Sequence, residues 1–187
     1  MSLGEVHEPI KGTKNPQKML QTGIPFTKKP VALQFDYKVK MSDRENRIRA
    51  TGFSKITDVP GKDYPAAILL LQKRWEDANG NVYAKRIGTM VTYYYHSTDW
   101  KNNVTYEIMY GDITNRPEYK AHMMRLQATE SYTVNSKGES VPIHEVAWGD
   151  ENDVPTHMYI QFTSSHGGAY IGSPGNTLWV DNVKLVY

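Results

Sequence analysis

From His157 to Tyr187 the chain shows the pattern that most restricts its fold, an alternation with a period of two. Met158, Ile160 and Phe162 alternate with His157, Tyr159 and Gln161. Successive side chains of a strand point to opposite faces, so this spacing gives a strand with one buried face. Two turn-rich links follow, Ser164-Ser165-His166-Gly167-Gly168 and Gly172-Ser173-Pro174-Gly175-Asn176. Alternation then resumes from Thr177 to Tyr187. Trp179, Asp181, Val183, Leu185 and Tyr187 fall on one face, and Leu178, Val180, Asn182, Lys184 and Val186 on the other. If the first face is the buried one, Trp179 is core and Asp181 needs hydrogen-bond, ionic or metal partners, because an isolated buried charge is very costly.

The same alternation runs from Val31 to Met41. Val31, Leu33, Phe35, Tyr37, Val39 and Met41 face one way, and Gln34, Asp36, Lys38 and Lys40 the other. A helix cannot gather that set on one side. Residues 1–30 are polar and broken by Pro9, Pro16, Pro25 and Pro30, which reads as an extended arm. Met1-Ser2-Leu3 reads as an expression leader. Asn46 to Ile56 suggests a second strand, interrupted by Gly52. Ala66 to Leu71 is a continuous apolar run that turns polar from Gln72 to Glu76. Asp77-Ala78-Asn79-Gly80-Asn81 carries Asn-Gly, the strongest short hairpin signal in the chain. Val82 to Tyr95 and Asn103 to Gly111 read as further strands, joined by a link holding Trp100. Pro117 and the helix formers from Glu118 to Gln127 predict one short helix. Tyr132 to Val134 is a short strand, and Asp150 to Pro155 an acidic loop.

Together these predict a single all-β domain over residues 1–187. Its architecture is a two-sheet antiparallel β-sandwich of jelly-roll type, with about eight to ten strands and at most one short helix. The chain has 187 residues, a net charge of +2, 13 Tyr, 4 Trp and no Cys. That charge gives no electrostatic case for nucleic acid as a partner. The absence of Cys excludes disulfides and thiol chemistry. No apolar run is long enough to make a transmembrane segment.

Ser164-Ser165, Gly168 and the run Gly175-Asn176-Thr177-Leu178-Trp179-Val180-Asp181-Asn182-Val183-Lys184-Leu185 resemble the closing segment of the putative carbohydrate metabolism domain (PCMD) family. The resemblance is strongest over residues 155–187 and reappears at Gly23-Ile24-Pro25-Phe26 and Lys29-Pro30 before the Leu33–Lys38 strand. Asn176 stands where the family usually has Ser, and Asn182 where it often has a second Asp. The resemblance implies a jelly-roll sandwich similar to galactose-binding and other carbohydrate-binding modules. It also implies a place in surface glycan-utilisation proteins of outer-membrane bacteria. On that footing the chain is exported to the cell surface, outer-membrane anchored, or to the periplasm. Its partners are a glycan or oligosaccharide and other glycan-utilisation surface proteins.

Flat aromatic faces match the C–H faces of sugar rings. The candidate carbohydrate-binding residues are Trp148, Trp100, Trp75 and Tyr64, with Arg74, Arg86, Asp77 and Asp150 nearby in sequence. Trp148, flanked by Gly149 and Asp150, is the best exposed candidate, and PCMD-family members also tend to carry Trp before a strand where Trp100 stands. Each ring has a plainer reading as packing at a sandwich end. Asp181 is the candidate metal residue, for a structural calcium ion, because the corresponding strand of jelly-roll modules often supplies such a ligand; Glu5 and Glu8 are candidate co-ligands. Its plainer reading is a buried carboxylate held by hydrogen bonds. His166 reads as a loop histidine, since no Gly-x-Ser-x-Gly elbow accompanies it. Glu76, Asp77, Glu107, Glu130, Glu145, Asp150 and Glu151 read as solvated surface acids, although a glycosidase needs two facing carboxylates. The expected function is non-catalytic carbohydrate binding. The alternatives are a glycoside hydrolase and an adhesive or structural protein-binding module.

Overall fold

A computed structural model describes residues 15–51, 55–123 and 131–187, together with Met1 and the backbone of Gly4–Val6. In chain order the strands are β1 (Gly4–Val6), β2 (Leu20–Thr22), β3 (Ile24–Pro25), β4 (Ala32–Lys40), β5 (Arg47–Arg49), β6 (Thr57–Val59), β7 (Ala66–Glu76) and β8 (Val82–Tyr93). They continue with β9 (Thr98–Glu107), β10 (Met109–Tyr110), β11 (Tyr132–Val134), β12 (Ser140–Trp148), β13 (His157–Thr163), β14 (Ile171–Gly172) and β15 (Thr177–Val186). The described residues hold 3₁₀ turns at Pro16–Met19 and Ala121–Met123 and no α-helix. The predicted helix begins as turns through Met123, and its remainder lies outside the described residues.

The chain forms the expected two-sheet β-sandwich, with the larger sheet curled into a half-barrel. The large sheet has seven strands in the order β11-β12-β8-β7-β13-β3, with β10 also on β8; the small one is β15-β4-β9. Lesser sheets are β14-β5-β6 and β1-β2. The antiparallel expectation has one exception: β12 runs parallel to β8, with Ile143 opposite Val82 and His144 opposite Tyr83.

The alternations set the core. Leu33, Phe35 and Val39 of β4 are buried against Leu69 and Leu71 of β7 and against Met158, Ile160 and Phe162 of β13, with Tyr37 packed at the margin. Phe35 lies 4.9 Å edge-on from Phe162 and 5.2 Å from Tyr106. Val31 is the exception in its row: it precedes the strand and is exposed, while Ala32 is buried. The Asn-Gly hairpin forms as expected. Gly80 N–H donates to Asp77 O at 3.0 Å, and Gly80 takes φ +90°, the left-handed region glycine favours.

The expected register of β15 is reversed over its first half. Trp179 stands opposite Lys38 and Asp181 opposite Asp36, so both share the polar face of β4. Leu178 and Val180 pack on the core instead. One extra residue between the Asp181 and Lys184 pairings makes a bulge, with Asn182 at φ +51°, and this returns Leu185 to the core opposite Leu33. Trp179 is therefore 40% exposed rather than core, and Asp181 is exposed rather than buried. Asp181 accepts the N–H of Asn182 at 2.7 Å. The buried-face premise for a metal ligand at Asp181 fails with that register. Among the described residues no cluster of three or more His, Asp or Glu is placed to hold a metal ion. Glu8 and the side chain of Glu5 lie outside the described residues.

Candidate functional site

The large sheet is wider and longer than the small sheet packed on it. Along β7 the core-facing side chains Leu69 and Leu71 continue, by alternation, into Lys73 and Trp75. These emerge into solvent, with Trp75 42% exposed. The hairpin sets Trp75 opposite Tyr83 and Lys73 opposite Lys85, and the parallel pairing then sets Tyr83 opposite His144. The result is a row of rings across three adjacent strands. Trp75 and Tyr83 are stacked with centroids 5.8 Å apart at 21°, and Tyr83 and His144 lie 5.7 Å apart at 38°.

A second row flanks the rings. Lys73 Nζ pairs with Asp153 Oδ1 at 2.8 Å. The hydrogen bond from Lys73 holds the Asp153 carboxyl below its ordinary value, and the charges of Lys73 and Lys85 add to that. At the hairpin end Asp77 is also held low, first by the side chain and backbone N–H of Asn81. Tyr83 Oη lies 3.4 Å from Asp77 Oδ2. The strip thus offers a row of aromatic rings bordered by ammonium groups and by carboxylates.

Tyr64 lies in a different cluster, at the rim of the opposite sheet face. Its ring is 4.7 Å from Tyr95, 6.5 Å from Tyr93 and 5.6 Å from His166. Beneath it Asp63, 1% exposed, accepts the N–H of His166 at 3.1 Å and of Ser173 at 3.0 Å. Burial, the largest single influence on Asp63, raises its pKa, but hydrogen bonds from His166 and Ser165 outweigh it and hold the carboxyl below its ordinary value. His166 Nδ1 has two neighbours at 3.0 Å, Asp63 Oδ1 and the Tyr64 N–H. It cannot donate and accept at once: protonated it donates to Asp63, and unprotonated it accepts from Tyr64. His122 stacks on Tyr93 at 4.1 Å, and burial depresses its pKa. Its Nε2 is buried without a hydrogen-bond partner among the described residues.

Trp148 is the last residue of β12, not a loop residue, and is half-buried. The Arg86 guanidinium sits 5.7 Å from its ring centre. Arg86 and Glu145 are 1% and 4% exposed and form an ion pair through both carboxylate oxygens. Gln72 donates to Glu145 Oε1 at 2.6 Å, and Arg74 Nε donates to Gln72 Oε1 at 2.8 Å. Burial brings Arg74 down to about 10. Glu145 is thus a buried, paired carboxylate and not the surface acid expected. Trp100 is 47% exposed on β9, in the bulge that faces Lys38, on the small sheet.

The four candidate rings therefore do not converge. Trp75 joins the exposed row, Tyr64 the Asp63–His166 cluster and Trp148 the buried ion pair, while Trp100 lies on the other sheet. Two members of the exposed row, Tyr83 and His144, were not among the sequence candidates. The Asn-Gly turn carried a usable signal for Tyr83, since a hairpin turn fixes which residues stand opposite. No local signal marks His144, which arrives by a parallel pairing distant in sequence.

The fold and these surfaces define a β-sandwich with exposed aromatic strips, and the comparisons go little further. No protein-family model matches the chain. No curated protein matches it. Among solved structures it is similar to a putative glycoside hydrolase from Bacteroides vulgatus, with TM-score 0.54 and 14% sequence identity. The match covers 97% of this chain and 61% of that one, so the chain spans less than two thirds of its neighbour. At that identity the likeness shows the fold alone. No helix among the described residues is long and apolar enough to cross a membrane.

Proposed function

We propose that this chain is a non-catalytic carbohydrate-binding β-sandwich domain, working outside the cytoplasm in glycan capture. The observation that carries the reading is the Trp75–Tyr83–His144 row: three rings on adjacent strands, the outer two exposed and Tyr83 half-buried between them, bordered by an ion pair. Stacked aromatic surface with a few polar groups at its edge is how proteins recognise sugar rings. The fold likeness to a protein described as a glycoside hydrolase and the PCMD-like closing segment both support a glycan as ligand. Export, surface location and association with other glycan-utilisation proteins rest on that resemblance.

Titration calorimetry against soluble neutral and acidic oligosaccharides, beside a reducing-sugar assay, tests the proposal. Stacking contributes about 0.5–1.5 kcal/mol per ring, so affinity is expected to be micromolar to millimolar. Trp75→Ala is expected to weaken binding about two- to tenfold and leave the melting temperature nearly unchanged. Release of reducing ends that is lost on mutating a carboxylate would establish a glycoside hydrolase instead. A second reading, an adhesive module, is favoured by Trp100, Trp179 and Val183, each at least 40% exposed on the small sheet. It gains if no glycan binds and Trp100→Ala together with Trp179→Ala abolishes capture of a partner protein.

A further inference from the structure

We infer that the ligand of the Trp75–Tyr83–His144 row is an acidic glycan, one whose sugars carry a carboxylate, and that Lys85 is the residue that selects it. This rests on the binding reading proposed above and adds the ligand class.

The argument starts from two lysines in an unfavourable place. Lys73 and Lys85 stand directly opposite each other on antiparallel neighbours. Like charges in that relation destabilise a sheet. Asp153 neutralises Lys73 at 2.8 Å. Lys85 has no ion pair or hydrogen bond among the described residues, although its charge is felt at Asp153. Asp77, at the hairpin end of the strip, is committed elsewhere: it accepts the N–H groups of Asn79 and Asn81 and the Asn81 side-chain amide, each at 2.9 Å. The strip therefore keeps one ammonium without an ion pair or hydrogen bond among the described residues.

Its position makes that charge useful. Lys85 is two residues from Tyr83 on the same strand and face, which sets the lysine row about 7 Å from the ring row. A sugar that packs on the row contacts Trp75 or Tyr83, and substituents on its flank project towards the neighbouring row. A carboxylate on such a sugar reaches the lysine row, whereas a neutral hydroxymethyl group at the same place gains no ion pair. The row advances in ring steps of 5.8 and 5.7 Å, so a ligand lying along it passes Tyr83, two residues from Lys85.

The test uses the full chain and four probes: oligogalacturonate, oligomannuronate, carboxyl-reduced oligogalacturonate and a single-stranded oligonucleotide. Each is titrated calorimetrically at low and high salt against wild type, Lys85→Met and Trp75→Ala. Lys85→Met keeps the apolar stem and removes only the charge, and circular dichroism verifies the fold of both variants. A solvent-exposed ion pair predicts that at least one uronate binds about two- to fivefold tighter than the reduced glycan at low salt. That margin is expected to vanish at high salt and in Lys85→Met, while Trp75→Ala weakens acidic and neutral ligands alike. Equal binding of acidic and reduced glycans, with Trp75→Ala still deleterious, overturns the charge inference and leaves the binding reading intact. No binding by any glycan removes both. Preference for the oligonucleotide overturns the inference in favour of nucleic acid.

Discussion

Removing one member of the Arg86–Glu145 pair gives the sharpest test of the structure. Arg86→Met leaves Glu145, 4% exposed, with Gln72 Nε2 at 2.6 Å as its remaining donor among those described, where it had three. Glu145→Met leaves the guanidinium buried, with the Met123 carbonyl at 3.2 Å still accepting from Nη1. Breaking a buried pair in this way costs about 3–5 kcal/mol, because a charge remains out of water without its hydrogen-bonded counter-charge; for Glu145 the charge of Arg74 remains in range and places Arg86→Met at the lower end. Replacing both partners removes both charges, so the double variant is expected to be more stable than either single one. The coupling energy in the cycle should then be about 2–3 kcal/mol, the upper end of the range for residues in contact. Urea denaturation followed by tryptophan fluorescence reads all four species, with unchanged m-values as the check on two-state behaviour. Single variants losing less than about 1 kcal/mol, or a coupling near zero, would refute a desolvated pair and return Glu145 to the surface.

Two further outcomes are expected. Burial, with the charge of Arg74 beside it, depresses His157 to about 4. A histidine depressed on folding binds fewer protons than in the unfolded chain, so stability is full above about pH 6.5 and declines as pH falls towards 4. Asp63 continues the trend: its lowered carboxyl contributes stability present above its ordinary 3.8 and lost as pH falls through the lower folded value. Denaturation curves across this range should flatten between pH 6.5 and 4 in His157→Gln; an unchanged slope would show that another group carries it. Trp179→Ala is expected to cost on the order of 1 kcal/mol, against about 3–5 kcal/mol for a core tryptophan, because the ring is 40% exposed and its described partner is Lys38 at 5.9 Å. A loss above about 3 kcal/mol would restore the buried register of β15.

What could be read in the sequence was whatever local periodicity determines. Leu33, Phe35 and Val39, like Met158, Ile160 and Phe162, obeyed their alternation, and Asn79-Gly80 made its turn. β15 alternates just as cleanly, yet periodicity gives two faces without saying which is buried. Trp179 and Val183 argued for one face; pairing with the polar side of β4 selected the other, and the bulge at Asn182 changed faces midway. The polar end of β7, Gln72 to Glu76, was visible as a change of composition, but not that it carries the buried network on one side and the exposed row on the other. Glu145 and Arg86 are 59 residues apart in the chain, and nothing local announces that a parallel pairing of β12 with β8 will bury them together.

The mismatch between the two sheets explains why the aromatic strip exists and why it suits weak ligands. The small sheet has three strands and the large one seven, so the cover cannot reach all of the face beneath it. The opposite face of the large sheet finds a partial cover of its own, where Met109, Ile113 and Met123 pack on Val91 with Ile68 and Leu70 at the margin. Among the described residues the ends of β7, β8 and β12 receive no such cover on the face carrying Trp75, and the middle strand of that stretch is paired on both sides, Tyr83 with Trp75 and with His144. A purely structural role for the rings accounts for about 0.2–1 kcal/mol per cross-strand pair. It does not call for Trp75 to stand 42% exposed beside a lysine without an ion pair among the described residues. For a ligand, the same rigidity matters more. Ordering a free side chain costs about 0.5–1.5 kcal/mol on binding, comparable to the stacking energy of one ring. Rings already held at 5.8 and 5.7 Å by the backbone avoid most of that cost, which leaves the stacking energy available for the sugar.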